Sequence, residues 1–152
     1  MNTILTYVKS ILLPVVLGSI VGFITFGSMD YDYLIQPSFA PPAILFPIVW
    51  SILYTLMGVS YGILKSNSLT DTKVNNIYYL QLFVNLLWSI IFFVLKWRLF
   101  AFFWILLLIV LVIIMIKEFY KKNKVAGLLQ IPYLLWIIFA SILNFSIYLL
   151  NK

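Results

Sequence analysis

The distribution of charge, more than any motif, limits what this chain can fold into. Its fourteen charged residues leave five long intervals with no charge at all, 10–29, 33–64, 74–95, 99–116 and 125–151. A helix rises about 1.5 Å per residue, so roughly 20 apolar residues cross the hydrocarbon core of a bilayer, within a range of about 17–25. Each interval reaches that length. The solvent of this protein is therefore lipid, and its backbone must satisfy its own hydrogen bonds within helices.

Composition agrees. The chain is 64% hydrophobic and 9% charged, against about 25% charged residues in an ordinary soluble domain. Too little polar surface exists to cover a water-soluble globule. The expected fold is an all-α membrane protein, a single domain over 1–152 built as a bundle of five transmembrane helices. The spans fall at about 4–26, 44–64, 77–95, 99–116 and 128–150, with a cap loop over 27–43. Lys9 ahead of an apolar run resembles a signal peptide. The run is longer than the usual signal core of about 7–15 residues, and no small-residue cleavage site follows, so it reads as a true span.

Several function classes drop out. The formal charge of +6 sits in short links beside apolar spans, where it acts as a topology signal and not as a nucleic-acid surface. Cysteine and histidine are both absent, which removes thiolate chemistry, the commonest general base and the commonest metal ligand. No metal site is expected. Asp30, Asp32, Asp71 and Glu118 are all expected at loop positions, away from where an intramembrane proton relay needs them. There is no internal repeat of the kind that builds many transporters.

Lysine and arginine set the expected orientation. Lys9, Lys65, Lys73, Lys117, Lys121, Lys122 and Lys124 lie on the N-terminal side, against Lys96, Arg98 and Lys152 on the other. Seven against three puts the N-terminus in the cytoplasm and the long first loop and C-terminus outside. That loop holds three of the six prolines together with Asp30, Tyr31, Asp32, Tyr33 and Phe39. It reads as a cap over the bundle end that can also serve as a lid.

Polar and aromatic residues recur at helical spacing inside the spans. The third span presents Gln81, Asn85, Trp88, Ser89 and Phe92; the fifth presents Tyr133, Trp136, Ala140 and Asn144; the second presents Trp50, Tyr54, Gly58 and Tyr61. Amides at membrane depth need partners, so these faces point into the bundle. Spacing alone leaves two readings, interhelical hydrogen-bonded glue and a pocket of rings and amides for a flat apolar ligand. For Trp50, near a span end, an interfacial aromatic belt is a third. Gly18 and Gly22 form a small-xxx-small pair that allows close helix approach, within the bundle or between two copies.

These residues carry a resemblance. The run 31–42 with Tyr31, Pro37, Phe39, Pro41 and Pro42, followed by Phe46, Trp50, Leu53 and Tyr54, resembles the first loop and second helix of the TspO/MBR family, the tryptophan-rich sensory or translocator proteins that include the peripheral benzodiazepine receptor. Leu17, Gly18, Val21 and Gly22 resemble its first helix. Gln81, Leu82, Asn85, Trp88, Ser89, Phe92 and Phe93 resemble its third, and Pro132, Tyr133, Trp136, Phe139, Ala140, Leu143 and Asn144 its fifth. Four pieces in order, over nearly the whole chain, make the likeness specific.

The resemblance implies an integral protein of a bacterial cell membrane, often a homodimer, whose cavity lies beneath the first loop. It implies tetrapyrroles such as protoporphyrin IX, or other planar apolar molecules, as ligands among membrane lipids, with no covalently held cofactor. The implied ligand-binding positions are Tyr31, Pro41, Trp50, Asn85, Trp88, Ser89, Trp136 and Ala140. The implied role is a sensor or transporter of porphyrin-like or lipid-like ligands. Alternatives are a light- and oxygen-dependent porphyrin-degrading enzyme, with Trp50 and Trp136 as its redox-active neighbours, and a structural membrane subunit. Two departures stand out: Gln36 where family members often carry Lys, and Phe39 where they often carry Trp. The sterol pattern is met only loosely, by Leu143, Tyr148 and Lys152.

Overall fold

A computed structural model describes residues 2–152, and all regular structure in it is helical. Helix α1 spans Thr3–Phe26, α2 Leu45–Ser66, α3 Thr72–Ser89, α4 Arg98–Lys122, α5 Lys124–Leu128 and α6 Ile131–Asn151. Five stretches are long and apolar enough to cross a membrane, the last of them α5 and α6 taken together. The expected all-α bundle of five spans is the observed fold.

The boundaries differ from expectation where polar residues join helices. The third span begins at Thr72 and not near 77, because Asp71 caps it: its carboxylate accepts from the Val74 N–H at 2.8 Å. The fourth continues past 116 to Lys122, since Lys and Glu are good helix formers. Glu118 therefore lies on a helix, 3.3 Å from both Lys73 and Lys121. The fifth span is broken near 129–130, ahead of Pro132, whose ring lacks a donor and displaces the carbonyl four residues earlier. Helix α3 ends in a π-helical turn over Ile90–Val94, immediately after Trp88 and Ser89.

Packing in lipid depends on close fit and internal hydrogen bonds, because the tails outside are as apolar as the core. Helix α4 packs against α3 and α6, and α1 against α2. The α1–α2 contact uses Gly58 and Gly62 of α2. A Cβ at Gly58 would run into the backbone of Ser10 and Ile11, and one at Gly62 into the ring of Tyr7. Pro14 has no N–H to offer the Ser10 carbonyl, and that carbonyl is one of the atoms pressed on Gly58. The expected pair behaves differently. Gly18 makes room for the Tyr54 ring, and Gly22 has nothing within 4 Å of where its Cβ would be.

Two apolar clusters fill the bundle. The larger centres on Met57, Leu64, Tyr78, Val112, Met115 and Phe119, with the rings of Tyr61 and Tyr78 stacked at 4.3 Å. The smaller lies under the first loop and joins Tyr31 to Ile91, Phe92, Ala101, Leu143 and Ile147.

Candidate functional site

Between the loop-side halves of α1, α2, α3 and α6 lies a cavity of about 680 Å³, well inside the range of about 300–1,000 Å³ usual for small-molecule sites. Its formation follows from the helix contacts. Gly58 and Gly62 hold α1 tightly to α2 at the end away from the first loop. Beyond the Gly18–Tyr54 contact Gly22 faces open space, and Trp50, Tyr54, Trp88 and Phe92 line the remaining walls.

The first loop roofs this space and is fastened at several points. Tyr31, in a single 3-10 turn over Tyr31–Tyr33, is buried, with its ring edge-on to Phe46 at 5.0 Å. Its hydroxyl donates to the Pro41 carbonyl at 2.7 Å, and its own carbonyl accepts from Gln36 Nε2 at 2.7 Å. Burial raises the Tyr31 hydroxyl above its ordinary pKa of 10.0, and the nearby Asp32 carboxylate adds to the shift. Asn151, at the end of α6, exchanges two hydrogen bonds with the backbone of Ile35, at 2.9 and 2.8 Å. Asp30 is paired with Arg98 at 2.7 Å and with Lys96 at 3.8 Å. The Lys96–Arg98 turn thus holds the roof down, a role that reading Lys and Arg only as topology signals leaves out.

Behind the wall runs a chain of hydrogen bonds with one direction. Tyr54 Oη donates to Asn85 Oδ1 at 2.6 Å, Asn85 Nδ2 to Tyr133 Oη at 2.7 Å, and Tyr133 Oη to Gln81 Oε1 at 2.8 Å. Gln81 Nε2 ends it on the Tyr78 carbonyl at 3.0 Å. A second, shorter relay starts at the wall. Trp88 Nε1 donates to Asn144 Oδ1 at 3.0 Å, and Asn144 Nδ2 donates to the Arg98 carbonyl at 2.9 Å. The amides thus serve as glue between helices and as orienting groups for the rings.

The eight residues singled out by resemblance divide into three positions. Tyr31, Trp50, Trp88, Ser89 and Ala140 line the cavity. Asn85 stands one layer behind, reached through Tyr54. Pro41 and Trp136 line a different feature, an apolar groove between α2 and α6 with Leu45, Val49, Leu135 and Phe139 among its walls. Trp136 is separated from the cavity by Phe46, whose ring lies 5.9 Å away. The wall also includes Ser19, Thr25 and Ser51, together with Asp32 at the roof, which the sequence reading passed over. The small residues Gly18, Ser19, Gly22 and Thr25 recur on one side of α1, and that run was the available signal. Ile44, just ahead of α2, and Pro47 and Ser51 in its first turns line the cavity yet are exposed, so its wall is open between α1 and α2.

Comparison with known proteins agrees with this architecture. The family model described as TspO/MBR family matches residues 10–150. The chain is 42% identical to Tryptophan-rich protein TspO of Archaeoglobus fulgidus over 151 residues, covering 97% of this chain and 98% of that one. It is 36% identical to Protein CrtK of Rhodobacter capsulatus, covering 80% and 78%, and 32% identical to the Translocator protein homolog of Schizosaccharomyces pombe, covering 92% and 88%. With its five spans, roofed cavity and matching residues, this chain belongs to the TspO/MBR family of integral membrane proteins.

Proposed function

We propose that the protein binds a planar, largely apolar molecule of the tetrapyrrole class in the cavity under the first loop, and acts as a sensor or carrier of it. The observation that carries this reading is the wall itself. Trp50 and Trp88 present indoles to a space of about 680 Å³, and the amides behind the wall, Asn85 on Tyr54 and Asn144 on Trp88, are already engaged by protein partners. Ring faces on such walls hold a flat guest by dispersion and offset stacking. The fastened roof supports a gate at the loop end.

Protoporphyrin IX titrated into the purified protein in detergent tests this. Saturable quenching of tryptophan fluorescence is expected, and its loss in both Trp50→Leu and Trp88→Leu variants that retain their thermal stability. Equal quenching in these variants and in the unaltered protein would refute the reading. The light-dependent degradation alternative gives Trp50 and Trp136 a shared place beside the ring. Their division between cavity and groove favours binding over it.

The same proposal includes a bacterial cell membrane as the location and a cytoplasmic N-terminus. The orientation rests on the excess of lysines at the end away from the roof, and the ion pairing of Lys96 and Arg98 with Asp30 lessens their weight on the other side. Pairing of two copies is part of it too, supported by the family likeness and by the broad apolar face that α1 leaves uncovered.

A further inference from the structure

We infer that the cavity is built for a flat aromatic ligand that bears cationic or N–H donor groups, and that Asp32 turns it against ligands bearing carboxylates. This rests on the cavity reading above and deepens it.

The first ground is the state of the donors along the wall. Six of the donor groups that line it have given their hydrogen to the protein. Ser19 Oγ donates to the Val15 carbonyl at 2.7 Å, Thr25 Oγ1 to Gly22 at 3.2 Å, Ser51 Oγ to Pro47 at 2.7 Å and Tyr31 Oη to Pro41 at 2.7 Å. Tyr54 Oη donates to Asn85 at 2.6 Å and Trp88 Nε1 to Asn144 at 3.0 Å. The hydroxyls keep lone pairs, so toward the cavity they act as acceptors. Three lining donors, the hydroxyls of Ser89 and the exposed Tyr33 and the indole N–H of Trp50, have no acceptor among the described residues, and none of them carries charge.

The second ground is charge. Asp32 is the one ionisable carboxyl among the lining residues, and no Lys or Arg is among them. Among the described residues no cation pairs with Asp32, whereas the cations of the neighbouring turn, Lys96 and Arg98, are committed to Asp30. Gln36, on the same loop, is neutral and holds the Tyr31 carbonyl.

These grounds converge. A carboxylate brought into a low-dielectric site needs charged or multiple donors to replace its water. This wall offers it no cation, three scattered neutral donors, several acceptors and a like charge. A cation or an N–H group meets lone pairs, a carboxylate and the electron-rich faces of Trp50, Trp88 and Tyr31.

Three probes that share one macrocycle test this: protoporphyrin IX, its dimethyl ester, and its bis-amide with two dimethylaminoethyl arms. Each is titrated in neutral detergent, with quenching in Trp50→Leu subtracted as non-specific partitioning. The dication is expected to bind about tenfold more tightly than the diacid at low salt, with the ester between them. The ratio should shrink toward unity near 0.5 M salt, where screening shortens to a few ångströms. It should also shrink in Asp32→Asn and invert in Asp32→Lys. A diacid that binds as tightly as the dication, or a ratio indifferent to both salt and Asp32→Asn, overturns the preference and leaves the cavity reading standing. No saturable quenching by any of the three overturns the cavity reading and the preference together.

Discussion

Arg98 Nη2 lies 2.7 Å from each carboxylate oxygen of Asp30, bridging 68 positions of sequence. The same guanidinium sits 5.1 Å above the ring of Phe92, and the Arg98 carbonyl accepts from Asn144, which in turn holds Trp88. One residue thus joins the roof to the aromatic wall.

Removing that bridge should loosen the roof before it unfolds the bundle. Arg98→Ala leaves a partly buried Asp30 with only the longer Lys96 contact. A hydrogen bond to a charged group is worth about 1.5–3 kcal/mol, so a lowered Tm is expected together with faster proteolysis within residues 27–43. Arg98→Lys should recover part of both. A roof as protease-resistant in Arg98→Ala as in the unaltered protein would show that Tyr31, Gln36 and Asn151 suffice to hold it.

The two glycine pairs make a contrasting test. Gly58→Ala puts a methyl group into the backbone of Ser10 and Ile11, and overpacking of this kind costs about 1–3 kcal/mol. Gly22→Ala meets open space and gains helix propensity. Thermal unfolding in detergent should fall clearly for the first and stay level or rise for the second. Equal losses would mean that α1 does not pack as described.

Within the hydrogen-bond chain, the middle should matter more than the end. Tyr133→Phe leaves both Asn85 Nδ2 and Gln81 Oε1 without their partner in a fully buried place, whereas Tyr54→Phe releases only Asn85 Oδ1 at the cavity edge. Each orphaned buried group costs about 1–3 kcal/mol in soluble proteins, while membrane averages are nearer 0.6 kcal/mol. Tyr133→Phe should therefore lower Tm roughly twice as far as Tyr54→Phe. The reverse order, read in the same detergent, would argue against the chain.

At the opposite end, acid should act through Asp71. Its hydrogen bond to Lys122, and next its acceptance from the Val74 N–H, hold its carboxyl below the ordinary 3.8. The folded value lies under the unfolded one, so its stabilising contribution is complete above about pH 4 and disappears as pH falls through the lowered value. Asp71→Asn keeps a helix cap but cannot titrate. Its Tm profile should lose part of the drop seen below pH 4 in the unaltered protein. Superimposable acid limbs for the two proteins would remove Asp71 from the explanation.

How much of this was legible in the sequence varies from residue to residue. The five spans follow from gaps between charges, and Trp88 was readable as inward-facing, whereas Trp50 stood between a pocket wall and an interfacial belt. Trp136 and Asn144 were expected to share a face because they stand eight apart, yet a helix turns about 40° too far with every four residues. Over two such steps Trp136 reaches the α2–α6 groove while Asn144 faces the cavity. Gly18 with Gly22 and Gly58 with Gly62 have the same spacing, so spacing alone could not choose between them. Pro14 decides it in three dimensions, by leaving a carbonyl free where Gly58 arrives. The Asp30–Arg98 bridge had no sequence signal, because nothing local links a loop acid to a turn so far along the chain.

The open space beside Gly22, between α1 and α2, bears on how any guest should be dosed. For a hollow whose side is open at Pro47 and Ser51, on a helix apolar enough to cross a membrane, the scale to test is moles of guest per mole of lipid. Dissociation constants quoted per litre of buffer will then shift with the quantity of detergent or vesicle in the cuvette. A mole-fraction scale brings such values onto one footing.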